Sequence, residues 1–192
     1  MLSESAARWL LVLHAGLGVT AVGAATHLVL WLRRYVRGAG GRRRAVVRFA
    51  WLVLALQLAT FACGNLMYPT YKVEVRVAYL ENASAIVADT SARGKELARL
   101  AEREHAAPSQ PTATAELVRR ATAAARWFDV KEHWVALGMF VAAALLLVLS
   151  LWNPERDGRT IAPIVVGLAA LTAGTTWLAA IIGVLTAAWR AV

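Results

Sequence analysis

The sequence predicts an all-α polytopic membrane protein. The expected form is a four-transmembrane-helix bundle with a helical extramembrane hairpin between spans 2 and 3. The first reason is composition. Apolar residues make up 59% of the chain and charged residues 17%, against about 45–50% and about 25% in soluble domains. Mean hydropathy is +0.52. The second reason is distribution. Four runs, 9–32, 49–71, 134–154 and 160–189, contain no Asp, Glu, Lys or Arg and are 24, 23, 21 and 30 residues long. About 20 helical residues cross a hydrocarbon core roughly 30 Å thick. The third reason is charge. The chain has 21 basic and 12 acidic residues, net +9, and seven arginines lie in segment 33–48 with no acid among them.

The first run reads as a retained span. A signal-peptide core is usually about 7–15 residues, whereas this run continues beyond Ala24–Ala25 to Leu32 and then meets arginines. Segment 33–48 follows. Concentrated charge there reads as a topology signal, placing this loop in the cytoplasm beside anionic lipid headgroups. It has no interleaved aromatics and no nucleic-acid motif, so no nucleic-acid partner is expected. The N- and C-termini are then extracytoplasmic, as is the long loop. Tryptophans agree with belts at the two interfaces: Trp9, Trp134 and Trp189 with Tyr68 and Tyr71 on the outer side, Trp31, Trp51 and Trp152 on the inner. Trp177 falls in mid-span and is expected to face the bundle, because its indole N–H needs a partner. Arginine- and alanine-rich composition suggests a bacterial source and the inner membrane.

The organisation is residues 1–71 for spans 1 and 2, 72–130 for the extracytoplasmic insertion, and 131–192 for spans 3 and 4. Within the insertion, 78–106 is alanine-rich and proline-free, which favours helix. Pro108 and Pro111 break the chain, and a second helix is expected over 112–127. Asp129 and Glu132 have capping-box spacing for the start of a separate third span. The hairpin has too few apolar residues for a core of its own, and is expected to pack on the bundle, on lipid or on another membrane or extracytoplasmic protein. Segment 71–79 alternates Val73, Val75, Val77 and Tyr79 with charged residues, a strand period. Without a second strand, an extended connector, pairing with another chain, and helix all stay open.

Soluble enzyme chemistry has no foothold. Cys63 stands alone, and phosphate loop, nucleophile elbow and zinc patterns are missing. The informative groups are polar residues at membrane depth, which are costly there and face the interior. His27 shares one side of span 1 with Gly16, Thr20 and Gly23 and is expected at a packed interface with Gln57 of span 2. An interhelical hydrogen bond, a proton relay, a quinone contact or a haem ligand would each use them. His14 lies about 140° around the helix from His27, in the outer half. His133 is the other histidine at that level, with Tyr68 and Glu132 near it. His14 and His133 could oppose each other as ligands of a b-type haem or of a metal ion, with Tyr68 and Glu132 tuning the site. The plainer alternative is a hydrogen bond for His14 and a solvated edge for His133. Two functions follow: an electron-transfer subunit with a cofactor near the outer side between spans 1 and 3, or a non-catalytic accessory or assembly protein whose hairpin docks a partner.

Overall fold

The computed structural model describes residues 3–38, 43–105 and 114–188. Pro108, Pro111, Arg42 and Trp189 lie outside them. Five α-helices run in the order α1 Glu4–Val36, α2 Arg43–Thr70, α3 Ala83–Glu104, α4 Thr114–Leu151 and α5 Ala162–Ala188. A π-helical segment, Tyr71–Leu80, continues α2 without a break. No strand occurs among the described residues. Four helices are long and apolar enough to cross a membrane: α1, α2 with its π-helical extension, α4 and α5.

The four pack in a ring. α1 lies beside α2 and α5, and α4 lies beside the same two, so α1 faces α4 across one diagonal and α2 faces α5 across the other. Their outward faces carry large apolar side chains, with Phe140 77% and Trp9 75% exposed. Such faces suit lipid tails. Large buried residues gather at one end, around Leu28, Leu32, Val46, Val53, Leu145 and Val165. This is the arginine end, next to segment 33–48. At the opposite, hairpin end the buried interior is mostly smaller groups, Ala21, Cys63 and Ala179, with Ile182 as the large side chain among them.

Lipid supplies little hydrophobic drive between helices, so close approach and hydrogen bonds hold them. α4 and α5 meet where Gly138 faces Thr175; a Cβ at 138 would lie 2.6 Å from Thr175 Oγ1. Gln57 is 7% exposed and its Nε2 donates to Thr176 Oγ1 at 2.7 Å, across the α2–α5 diagonal. The remaining amide oxygen, Gln57 Oε1, is buried without a partner among the described residues. Trp177 corrects the expectation of an inward ring. It is 49% exposed, and its Nε1–H reaches Thr26 Oγ1 of α1 at 3.0 Å.

The arginine end is closed by Arg43. Its guanidinium donates to the carbonyls of Trp152 at 3.1 Å, Leu149 at 3.3 Å and Ser150. These are orphan carbonyls at the C-terminus of α4, where a cation is favoured. Trp152 is buried, and its Nε1–H donates to Gly158 O at 3.0 Å. Gly38 holds φ +76°, and a Cβ there would meet Arg159 Nη2 at 2.8 Å, so the α1 terminus fits only glycine.

In the insertion one open alternative is decided, one expectation changes and a small core appears. Segment 71–79 is helical. Its inward positions are Tyr71, Val75, Arg76, Tyr79 and Leu80, a spacing of four to five, while Val73 and Val77 point outward. Pro69 has no N–H for the helical ladder, and just beyond it the ladder takes the wider i→i+5 register. The second hairpin helix and the third span are one helix, α4, of 38 residues, so Asp129 is interior and caps nothing. Finally, the hairpin has a small core: Leu80, Ile86, Ala121 and Ala125, flanked by Tyr79, Leu117 and Val118.

We expect Arg43→Ala to lower stability by about 1–3 kcal/mol, the scale for charged hydrogen bonds, as a fall in the thermal unfolding midpoint in detergent. An unchanged midpoint would show that the cap contributes nothing. We expect Gly138→Ile to cost about 1–3 kcal/mol by overpacking, and Gly167→Ile, where a Cβ meets nothing within 4 Å, to cost much less. The Asp157 carboxyl is held below its ordinary range by Arg156 and by the Asn153 N–H. Its contribution to the 153–157 turn is complete above the usual carboxylate pKa of about 3.9 and is lost as pH falls through its lower folded value. Amide protection in that turn, the exchange rate relative to the intrinsic rate at each pH, should therefore fall at acid pH in the native chain and not in Asp157→Asn.

Candidate functional site at the hairpin end

At the hairpin end the bundle interior holds His14 from α1 and Lys131 from α4. His14 is half-buried, and its Nδ1 lies 3.0 Å from Thr60 O of α2. A carbonyl only accepts, so Nδ1 carries the proton and Nε2 presents a lone pair in the neutral ring. The ring fits because residue 64 is glycine: a Cβ there would sit 3.2 Å from His14 Cε1. Next to it, Cys63 Sγ–H donates to Leu10 O at 3.4 Å, so α1 and α2 are joined on both sides of the imidazole.

Lys131 is read from sequence as an exposed neighbour of Glu132, and the structure differs. Its ammonium turns inward to α5, where a Cβ on Gly183 would lie 3.2 Å from Nζ. It also stands 5.4 Å from the centroid of the Phe128 ring, a cation–π distance. No hydrogen-bond acceptor or ion-pair partner among the described residues meets it. Its charge is felt at the His14 ring. The missed signal was the continuity of α4: from the buried Gly138, steps of three and four residues lead back through Val135 to Lys131 and Phe128 on the inner face.

The collar around this pair is built from the π-helical segment and α4. Tyr71 stacks on Phe128 with centroids 4.1 Å apart and planes at 20°. Tyr68, half-buried, lies 6.4 Å from the Tyr71 ring. Arg76 clamps Asp129 through both guanidinium nitrogens, at 2.6 and 3.1 Å, and holds Glu81 at 2.7 Å. This fork-to-carboxylate geometry ties the hairpin to α4 two residues before Lys131. Glu132 is half-buried, and Asp129, Arg76, His133 and Lys131 surround it in charge.

The other sequence-selected residues are dispersed. His133 lies on the exposed outer face of α4 and donates Nδ1–H to Asp129 O, 2.8 Å away, in its own helix. His133 faces away from the bundle interior into which His14 is packed, so the two are not opposed across one site. No group of three or more His, Cys, Asp or Glu able to hold a metal ion occurs among the described residues. His27 is exposed at the arginine end, in a ring cluster with Phe49 at 5.3 Å and Trp31 at 6.0 Å. Gly16, Thr20 and Gly23 are exposed on that face too, which corrects the expectation of a packed interface there. Gln57 belongs to the mid-bundle tie with Thr176.

Comparison with protein-family models, curated proteins and solved structures finds no match to the chain. The site's chemistry therefore stands on its own groups: one imidazole lone pair and one ammonium without an acceptor, each packed against a glycine of a neighbouring helix.

We expect Arg76→Ala to loosen the hairpin, seen as faster amide exchange over 83–104. Because both carboxylate partners are about 40% exposed, the Arg76–Asp129 coupling in a double-mutant cycle should be about 1 kcal/mol or less. Exchange unaltered by Arg76→Ala would mean that the small hairpin core alone holds α3.

Proposed function

We propose that the protein is a multi-pass subunit of the bacterial cell membrane that serves electron transfer, with a cofactor held at the hairpin end of the bundle. The observation that carries this is His14. Its Nδ1–H is committed to a backbone carbonyl and its Nε2 is free, the arrangement by which proteins orient ligating or proton-accepting histidines. A b-type haem held between His14 and His133 does not fit, because His133 points away from the bundle. A haem with His14 as its one protein ligand fits the donor chemistry. When bound, such a group would carry the electron, while Thr60 would fix the imidazole and Gly64 would leave it room.

The arginine end lies in the cytoplasm in this reading, with segment 33–48 against anionic headgroups and both termini outside. Seven arginines in one short segment and the tryptophan belts support it.

A second reading is an accessory or assembly protein that docks a partner through the hairpin. An open groove along the outer face of α4, lined by Arg119, Arg126, Trp127 and Val130, favours it. Arginine and tryptophan are typical anchors of protein interfaces.

Two measurements test these readings. Protein purified from cells with ample haem should show a Soret band that His14→Ala removes and His133→Ala leaves; a colourless, folded preparation would defeat the haem form. For orientation, in a Cys63→Ala background, a cysteine at Ser91 should label from outside intact cells and one at Gly158 only after the membrane is opened. The reverse pattern would invert the topology.

A further inference from the structure

We infer that the hairpin end binds the reduced headgroup of a membrane quinone, a quinol, between His14 and Lys131. This deepens the electron-transfer reading and rests on its site, but not on haem.

The reasoning starts from hydrogen-bond inventory. A lysine ammonium has three donors and no acceptor; a neutral imidazole with Nδ1–H already used has one acceptor and nothing to donate. Lys131 has no acceptor among the described residues, and burying a charge without one is costly. A ligand that answers both groups must accept from Lys131 and donate to His14 Nε2. A lipid phosphodiester or an ionised carboxylate accepts at every oxygen, so it would satisfy Lys131 and leave Nε2 facing another acceptor. A quinol carries two hydroxyls on one flat ring: one donates to Nε2, and the oxygen of the other accepts from Lys131. The oxidised quinone accepts at both oxygens, so it satisfies Lys131 alone and binds more weakly.

The surroundings agree with an aromatic, membrane-dissolved headgroup. His14 lies against Gly64 and Lys131 against Gly183, where added Cβ atoms would come within 3.2 Å of each. The ammonium is held on the Phe128 ring, which Tyr71 backs by stacking. Lipid-facing apolar surface surrounds this end of the bundle, with Trp9, Leu66 and Val184 exposed, so a hydrophobic tail can remain in the bilayer while the head enters between helices.

The test uses the full chain in nanodiscs of zwitterionic lipid, with decyl-benzoquinol titrated anaerobically by calorimetry. We expect saturable binding that its dimethyl ether, which keeps the ring and loses the hydroxyl donors, matches only at least tenfold more weakly. Lys131→Met should weaken quinol binding by about tenfold to a hundredfold, the range for a hydrogen bond to a charged group, and His14→Phe by about threefold to tenfold, the range for a neutral one. Gly183→Ala, which keeps both polar groups, should weaken it with an unchanged unfolding midpoint, so the outcome does not hang on the two polar variants folding. Equal binding of quinol and dimethyl ether, no binding to the native chain, or loss of binding when phosphatidylglycerol is added would overturn the inference; the last would assign Lys131 to a lipid phosphate. A colourless sample that binds the quinol removes haem and keeps this site, and a haem-loaded sample indifferent to the quinol does the reverse.

Discussion

Hydrocarbon offers the chain no water, so every backbone group in the bilayer must find its partner inside its own helix, and nothing apolar is gained by pressing one helix on another. The bundle reflects both halves of that constraint. Threonine hydroxyls mostly fold back on their own carbonyls, as Thr172 does on Leu168 and Thr176 on Thr172. Few remain for neighbours. The contacts between helices then fall to small residues, as at Gly138 and Thr175, and to single polar ties such as Gln57 to Thr176.

Given that economy, the two ends of the bundle do different work. The arginine end is packed with leucine and valine, closed by Arg43 on the last carbonyls of α4 and by Trp152 on Gly158. It is a rigid base. The hairpin end trades large side chains for glycine, alanine, cysteine, an imidazole and an ammonium. A largely buried cation without a hydrogen-bond acceptor destabilises the free protein, and groups of this kind at membrane depth mark function. The stable end makes the unfavourable end tolerable, a distribution common where binding sites are concerned.

The spans were legible because their signal is long and redundant: four charge-free runs, one arginine cluster and aromatic belts all read at the level of composition. The faces were less legible. Gly16, Thr20, Gly23 and His27 formed a convincing stripe, yet in lipid an apolar outer face is as acceptable as a packed one, so small residues alone do not tell inside from outside. His14 was placed at the hairpin end from its depth, but judging its pairing with His133 needed the inward face of α4, which is the one that carries Lys131 and not His133. Lys131 was missed because Asp129 and Glu132 resembled a helix start, and a start at that point hid the phase that continues from Gly138.

The alternating valines of 71–79 left strand and helix both open for a related reason. A spacing of two suggests strand, but the positions that matter are Tyr71 and Arg76, five apart. In an α-helix they would sit about 140° from one another, and only one could meet α4. In the i→i+5 register five residues nearly complete a turn, so Tyr71 reaches Phe128 while Arg76 reaches the adjacent Asp129. Pro69 interrupts the tighter ladder just before, and the wider one follows. The uncommon helix is thus what aligns the hairpin with the turn of α4 that carries Lys131. α3 and the π-helical segment meet α4 through the small hairpin core, the Tyr71–Phe128 stack and Arg76 on Asp129, and the last two lie within a turn of the ammonium. A partner seated on the hairpin and a ligand at the bundle end would in this way share one lever, which joins the two functional readings rather than setting them apart.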